Sequence, residues 1–230
     1  MVKSLCIIPA RGGSKRIPRK NIKDFLGKPI IAYSIEAAIK SNLFDEVMVS
    51  TEDSEIAEIA KQYGARIPFM RSKEKANDFA TTYEVIEEVL DNYEKMDMNF
   101  EKACCLYPCA PLITFEKLQE AHDKLDSFDV AFPVVKYSFP IQRALLKDKD
   151  GKVMFFQPEY ETTRSQDLKE SYHDAGQFYW FVVKKIIKNK GLFTNNTGVL
   201  VLSELEVQDI DNTKDWKLAE LKYKLVHGFS

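Results

Sequence analysis

Residues Pro9 to Arg16 read Pro-Ala-Arg-Gly-Gly-Ser-Lys-Arg and follow directly on a short apolar run, Leu5 to Pro9. Gly12 and Gly13 let the backbone approach phosphate oxygens closely and turn its N–H groups inward, while Arg11, Ser14 and Lys15 add side-chain donors. Arg16, Arg19, Lys20, Lys23 and Lys28 follow, opposed only by Asp24, in a chain whose formal net charge is -2. A charge run of this kind also describes a solvated face. The strand-like run before it favours a polyanion site, because ligands in open parallel sheets bind beyond the carboxyl ends of strands. The segment is neither G-x-x-x-x-G-K-S/T, whose first glycine is missing, nor G-x-G-x-x-G, so kinase-like and dinucleotide readings lose ground. Far along the chain, Asp209 and Asp211 form an i, i+2 pair that an extended segment would project to one side. Magnesium binds one or two carboxylates together with phosphates and water. Taken alone, the pair reads more simply as a cap for a helix starting at Thr213, a role that suits Asp211 or Asn212. A polyphosphate loop, which needs a divalent cation, shifts the balance toward metal binding.

These residues need elements to hold them. Strand-length apolar runs at Leu5 to Pro9, Val47 to Thr51, Ile67 to Met70, Ala103 to Tyr107 and Val130 to Val135 alternate with helical periodicity at Ile30 to Lys40, Ser54 to Tyr63, Thr81 to Tyr93 and Phe115 to Leu125. That alternation predicts a Rossmann-like α/β fold, a mostly parallel sheet with helices on both faces. After Val135 the rhythm changes. Lys147 to Lys152 reads as a polar turn, and the aromatic stretches Phe155 to Tyr160 and Phe178 to Phe181 predict a small antiparallel extension. A last strand, Gly198 to Leu202, precedes a helix from Thr213 to Val226. With 230 residues, 45% hydrophobic and 12% aromatic, one core and a single domain over 1–230 are expected.

The net charge gives no global reason to expect nucleic acid or an anionic membrane as partner, and no stretch approaches the roughly 20 apolar residues that cross a bilayer. The first residues lack a signal h-region, which predicts a cytoplasmic chain with Cys6, Cys104, Cys105 and Cys109 as reduced, packed thiols. No Cys or His partner lies at zinc-ligand spacing.

The run Ile7 to Asn21, IIPARGGSKRIPRKN, resembles the signature of the CMP-sialic acid and CMP-Kdo synthetases, and the likeness spans nearly the whole chain. It continues through Val49-Ser50-Thr51, through Arg71 and Asp78, through Tyr107 to Leu112 including Pro108, and ends at Asp209-Ile210-Asp211. Within the family, Arg164 to Leu168 and Tyr172 to Trp180 are most similar to the branch acting on pseudaminic acid. The resemblance implies a nucleotidyltransferase fold and a CTP-dependent cytidylyltransferase that activates a nine-carbon acidic sugar and releases pyrophosphate. It assigns catalysis to Arg11, Lys15 and Lys20, and nucleotide binding to Ala10, Arg11, Gly12, Gly13, Ser14, Lys15, Asn21, Arg71, Asp78 and Pro108. Asp209 and Asp211 become the ligands of Mg2+.

For the sugar, Arg143 and Arg164 are candidates to grip the carboxylate through paired hydrogen bonds. Gln166, His173, Asp174, Gln177 and Tyr179 suit hydroxyl and amide groups, with Phe178 and Trp180 as apolar walls. His122 and His227 read as structural or surface residues. Where sialic acid enzymes more often carry an Arg and an Asn-Gly pair, this sequence has His173-Asp174-Ala175-Gly176, a departure that favours pseudaminic acid over legionaminic, sialic or Kdo acids. A non-catalytic nucleotide-sugar sensor of the same fold is the other class, disfavoured by intact Arg11, Lys15, Asp209 and Asp211. The resemblance also implies a homodimer, in which residues 136–177, rich in Phe139, Ile141, Phe155, Phe156 and Tyr160, reach the partner's sugar site.

Overall fold

The computed structural model describes residues 3–77 and 79–228. Period-two alternation in the first strand, β1 (Ser4–Pro9), sets the layering: Leu5 and Ile7 join one core cluster, Cys6 and Ile8 the other, all fully buried. A two-residue pair, β2 (Asp24–Phe25) and β3 (Lys28–Pro29), follows the basic loop. Then come α1 (Ile30–Ser41), β4 (Glu46–Ser50), α2 (Ser54–Gln62), α3 (Thr82–Glu94), β5 (Lys102–Leu106), α4 (Phe115–Asp123) and β6 (Val130–Lys136). The hairpin β7 (Leu145–Lys147) and β8 (Val153–Phe155) leads to β9 (Tyr172–Asp174), β10 (Phe178–Val182), α5 (Val183–Asn189), β11 (Thr197–Leu202) and α6 (Thr213–His227).

The main sheet runs β11-β6-β10-β5-β1-β4, with β9 also on β6. The pairs β1–β4, β1–β5 and β11–β6 are parallel, whereas β10 runs antiparallel to both β5 and β6. Apolar residues of α1, α2 and α4 cover one face and those of α3 and α5 the other. The α/β expectation with helices on both faces holds.

Two expectations are corrected. Residues 67–70 form no strand; on its edge away from β1, β4 has among the described residues a single isolated bridge, Met48 to Arg66. Pro68, with no N–H to donate, stops the ladder there. The stretch Phe178 to Phe181 is antiparallel as expected, but instead of forming an extension it is threaded into the sheet interior between β5 and β6. Fully buried Phe178 and Trp180 pack among α1, α2 and α4, and the Trp180 indole N–H donates to the Leu118 carbonyl at 3.0 Å. Their side chains are committed to the core and form no wall for a ligand. His122 packs edge-on against Trp180, a structural position.

Candidate active site

The sheet places the basic loop directly after β1. Ala10 is buried and its N–H extends the ladder to Ser50 O at 2.9 Å. The loop then turns back because Ile17 is buried in a third cluster with Phe25, Ile30, Tyr33, Ile210, Trp216 and Ala219. Ile17 and Ile210 therefore act as the apolar pins that bring two distant segments together. Polar links complete the junction: Lys20 Nζ donates to Ile210 O at 2.7 Å, and Arg16 pairs with Asp211 at 2.7 Å.

A cavity of about 320 Å³ opens at this junction, beyond the carboxyl ends of β1 and β5. Of the residues singled out in the sequence, Arg11, Ser14, Lys20, Asn21, Arg71, Pro108 and Asp209 line it. Lys15 and Gly13 are in the loop but outside the lining. A Cβ on Gly13 would meet nothing within 4 Å, so this glycine faces open space. Gly12 behaves differently from expectation: its N–H donates at 2.7 Å to Glu52 Oε1, and neither residue lines the cavity. Asp78 lies outside the described residues. Lys75, Asn77, Thr82, Tyr107, Cys109 and Gly176 also line the cavity. Tyr107 and Cys109 carried a signal, since they follow the carboxyl end of β5. Lys75 and Asn77 stand beside Arg71 in one polar run, which marks the segment but not which side chains turn inward.

Arg71 is nearly buried, donating from Nε to Ser50 Oγ at 3.0 Å and from its terminal nitrogen to Ser50 O at 2.5 Å. Burial lowers its pKa from the usual guanidinium value, and the charges of Glu52 and Glu88 push it back up. Asn21, also buried, links two walls: its amide donates to Arg11 O at 2.8 Å, and the Cys109 thiol donates to its Oδ1 at 3.2 Å. Burial pushes the Cys109 thiol up to about 12, so it is a packed donor and not a nucleophile.

At the opposite wall, α6 begins at an Asn212 cap whose Oδ1 accepts from Lys214 and Asp215, while Asp215 accepts from the N–H groups of Asp211 and Asn212. The capping role therefore falls to Asn212 and Asp215 and leaves both earlier carboxylates out of it. Ile210 is buried between Asp209 and Asp211, as alternation on an extended segment requires. Partial burial and then the neighbouring Asp211 charge raise the Asp209 pKa, with Lys20 opposing. Among the described residues no group of three or more His, Cys, Asp or Glu gathers as a self-sufficient metal cage. Asp209 on the cavity wall, with Asp211 two residues on outside the lining and paired with Arg16, does fit the donor set of a hard cation that completes its shell with phosphate and water.

The family profile described as Cytidylyltransferase matches residues 5–215. The chain belongs to this cytidylyltransferase family. It is 42% identical to the pseudaminic acid cytidylyltransferase of Campylobacter jejuni subsp. jejuni serotype O:2, with 98% of each chain covered. It is 33% identical to the CMP-N,N'-diacetyllegionaminic acid synthase of Legionella pneumophila, with 94% of each covered. A solved CMP:2-keto-3-deoxy-manno-octonic acid synthetase complexed with CTP superposes with a TM-score of 0.68 at 17% identity, covering 99% of this chain and 100% of that one, a likeness of fold.

The residues expected to hold the sugar divide into two groups in this cytidylyltransferase. Asp174 and Tyr179 are joined at a kink between β9 and β10, where Gly176 adopts a φ of 61°. The Tyr179 hydroxyl donates to Asp174 Oδ2 at 2.5 Å, and Gly176 N–H to Asp174 Oδ1 at 2.8 Å. Tyr179 packs edge-on against Tyr107, whose hydroxyl lies 3.0 Å from Thr82 Oγ1, and burial raises the Tyr179 pKa. Gln177 is buried, its side-chain amide donating to Glu206 O at 2.8 Å and its backbone carbonyl accepting from Tyr107 N–H, so it ties the β5 end to the C-terminal segment. His173 is exposed on β9 against Tyr137. Arg143, Arg164 and Gln166 belong to the second group. They sit on the surface of the segment after β6, Arg164 paired with Asp167 at 2.9 Å; none of the expected sugar residues of either group lines the cavity, which among the described residues near β10 is reached only by Gly176.

Proposed function

We propose that this chain transfers CMP from CTP to pseudaminic acid. The anomeric hydroxyl oxygen attacks the α-phosphorus, a new P–O bond forms, the bond to the β-phosphate breaks and pyrophosphate leaves in line. The observation that carries the reading is the cavity where Arg11, Ser14 and Lys20 meet Asp209, within a chain 42% identical to a pseudaminic acid enzyme over 98% of its length. No covalent intermediate is required; positioning and neutralisation of developing charge do the work. Arg11 and Lys20, with Lys15 from the same loop, receive the triphosphate, with Ser14 as a further donor and buried Arg71 supplying fixed positive charge. Asp209 and Asp211 would hold Mg2+, which when bound offsets phosphate charge. Asn21 and Pro108 shape the nucleotide end. His173, Asp174 and Tyr179, at the kink where Gly176 enters the cavity wall, serve the sugar's amide and hydroxyl groups.

The enzyme acts in the cytoplasm as a homodimer. The β7–β8 hairpin supports this, because Leu145, Leu146, Val153 and Met154 are all largely exposed on it, more apolar surface than a lone hairpin can hide. Arg143 and Arg164, remote from their own cavity, then act at the partner's sugar site. Pyrophosphate release measured with CTP and a panel of nonulosonic acids tests the reading: turnover is expected with pseudaminic acid, and release with legionaminic acid but not pseudaminic acid would move the assignment to that branch.

A further inference from the structure

The basic loop touches the turn between β4 and α2 at two points. Gly12 N–H donates to Glu52 Oε1 at 2.7 Å, and a Cβ built on Gly12 would collide with the Asp53 carboxylate. Seven residues on, Arg19 straddles Asp53, both guanidinium nitrogens engaging both carboxylate oxygens, one at 2.9 Å, and it reaches Glu55 at 2.5 Å. Arg19 is held there at a φ of 56°, a left-handed conformation that a non-glycine residue adopts only when its surroundings enforce it. The turn itself is rigid: Asp53 N–H donates to Thr51 Oγ1, Asp53 Oδ1 caps α2 at the N–H groups of Glu55 and Ile56, and Thr51 is fully buried. Glu52 Oε2 is buried without a hydrogen-bond partner, so the carboxylate is enclosed and held through its other oxygen, in the field of Arg71. Neither Glu52 nor Asp53 lines the cavity, whereas Arg11, directly before Gly12, and Ser14, two residues after it, do.

We propose that Glu52, with Asp53 and Arg19, is a positioning clamp that fixes the shape of the basic loop. Gly12 is glycine because the loop must lie against the Asp53 carboxylate, and its N–H serves the protein, leaving the side chains of Arg11 and Ser14 to face the substrate. The clamp acts through the loop and touches no reacting atom.

Amide hydrogen exchange followed by NMR on the ligand-free protein reads the clamp without any substrate. Glu52→Ala is expected to speed exchange at Gly12 by about ten-fold or more, the loss of one charge-assisted hydrogen bond, while Glu52→Gln, which keeps an acceptor oxygen, restores most of the protection. A kinetic arm rests on the proposed use of CTP: Glu52→Ala and Arg19→Gln should each raise KM for CTP by about ten-fold with a smaller change in kcat. Arg19→Gln keeps the experiment decisive if Glu52→Ala is poorly folded. Unchanged exchange at Gly12 in Glu52→Ala, or faster exchange with an unaltered KM for CTP, would overturn the clamp. A wild-type chain that turned over no CTP would instead sink the proposed function and leave the exchange result to stand by itself.

Discussion

Asp53 shows how much one carboxylate can organise. Its hydrogen bonds to Arg19, chiefly, and to the first turn of α2 hold its pKa down to about 2, against a usual value near 3.8. A depressed carboxylate stabilises the fold above its unfolded pKa and loses that contribution as pH falls through the folded value. Asp53→Asn keeps the cap but removes the charge. Urea unfolding should show it about 1–2 kcal/mol less stable at pH 7, a screened figure because Arg19 is partly exposed, with the difference closing between pH 4 and pH 2. A gap that stays constant across that range would contradict the ion pair. Asp209→Ala and Asp211→Ala should each cut turnover by at least about a hundred-fold, since charge neutralisation at the triphosphate is lost. Thermal unfolding should barely move, because Asp211 gives up only a surface pair with Arg16, worth less than about 1 kcal/mol. Magnesium-dependent activity near the wild-type level in both variants would remove them from the site.

At the scale of elements, the β9–β10 strand does two jobs. Its first half pairs with the far end of β6, its second half fills the sheet between β5 and β6, and the kink between them brings Gly176 to the cavity. Period two then dictates the fates of neighbours: Phe178 and Trp180 enter the core beneath α4, and Tyr179 faces Tyr107 and Asp174. Trp180→Ala should therefore cost about 3–5 kcal/mol in chemical denaturation, a core cavity in the sheet centre. A loss of sugar affinity with undiminished stability would return Trp180 to the role of a pocket wall. Asn212→Ala should cost about 1 kcal/mol through the α6 cap. Its signature is a rise in KM for CTP as well, because the same cap anchors the segment carrying Asp209 and Asp211; stability loss with unchanged KM would show the two to be independent.

The whole molecule decides substrate choice and assembly. A site that hydrogen-bonds a substrate group rejects an analogue lacking it by up to about 10⁴-fold, whereas an apolar wall discriminates far less. With Phe178 and Trp180 withdrawn into the core, the proposed preference for pseudaminic over sialic acid would have to come from the polar set around His173, Asp174 and Tyr179. His173→Ala should lower kcat/KM for the sugar much more than for CTP, and equal efficiency with both acids would end the pseudaminic reading. Sedimentation should give a dimer at assay concentration. Replacing Val153 and Met154 together by Glu should yield a folded monomer with impaired sugar use, and a fully active monomeric wild type would rule out help from the partner.

The motif after β1, the helix-strand alternation and the Asp-x-Asp pair are local properties of the chain. Each depends on residue type and short spacing, and so the layered fold, the basic loop and the carboxylate pair could be read directly from the sequence. Other features depend on what meets what in space. Pro68 breaks a strand only because β4 is the sheet edge that it would have joined. The core position of Trp180 follows from β10 inserting between two strands far away in sequence. Gly12 turns toward Glu52 only because β4 lies beside β1, and Asp211 is freed from capping only because Asn212 and Asp215 close the α6 box first. Lys20 and Asp209 share one cavity wall because Ile17 and Ile210 bury themselves in a common cluster, a hydrophobic contact across more than half the chain that no local pattern encodes.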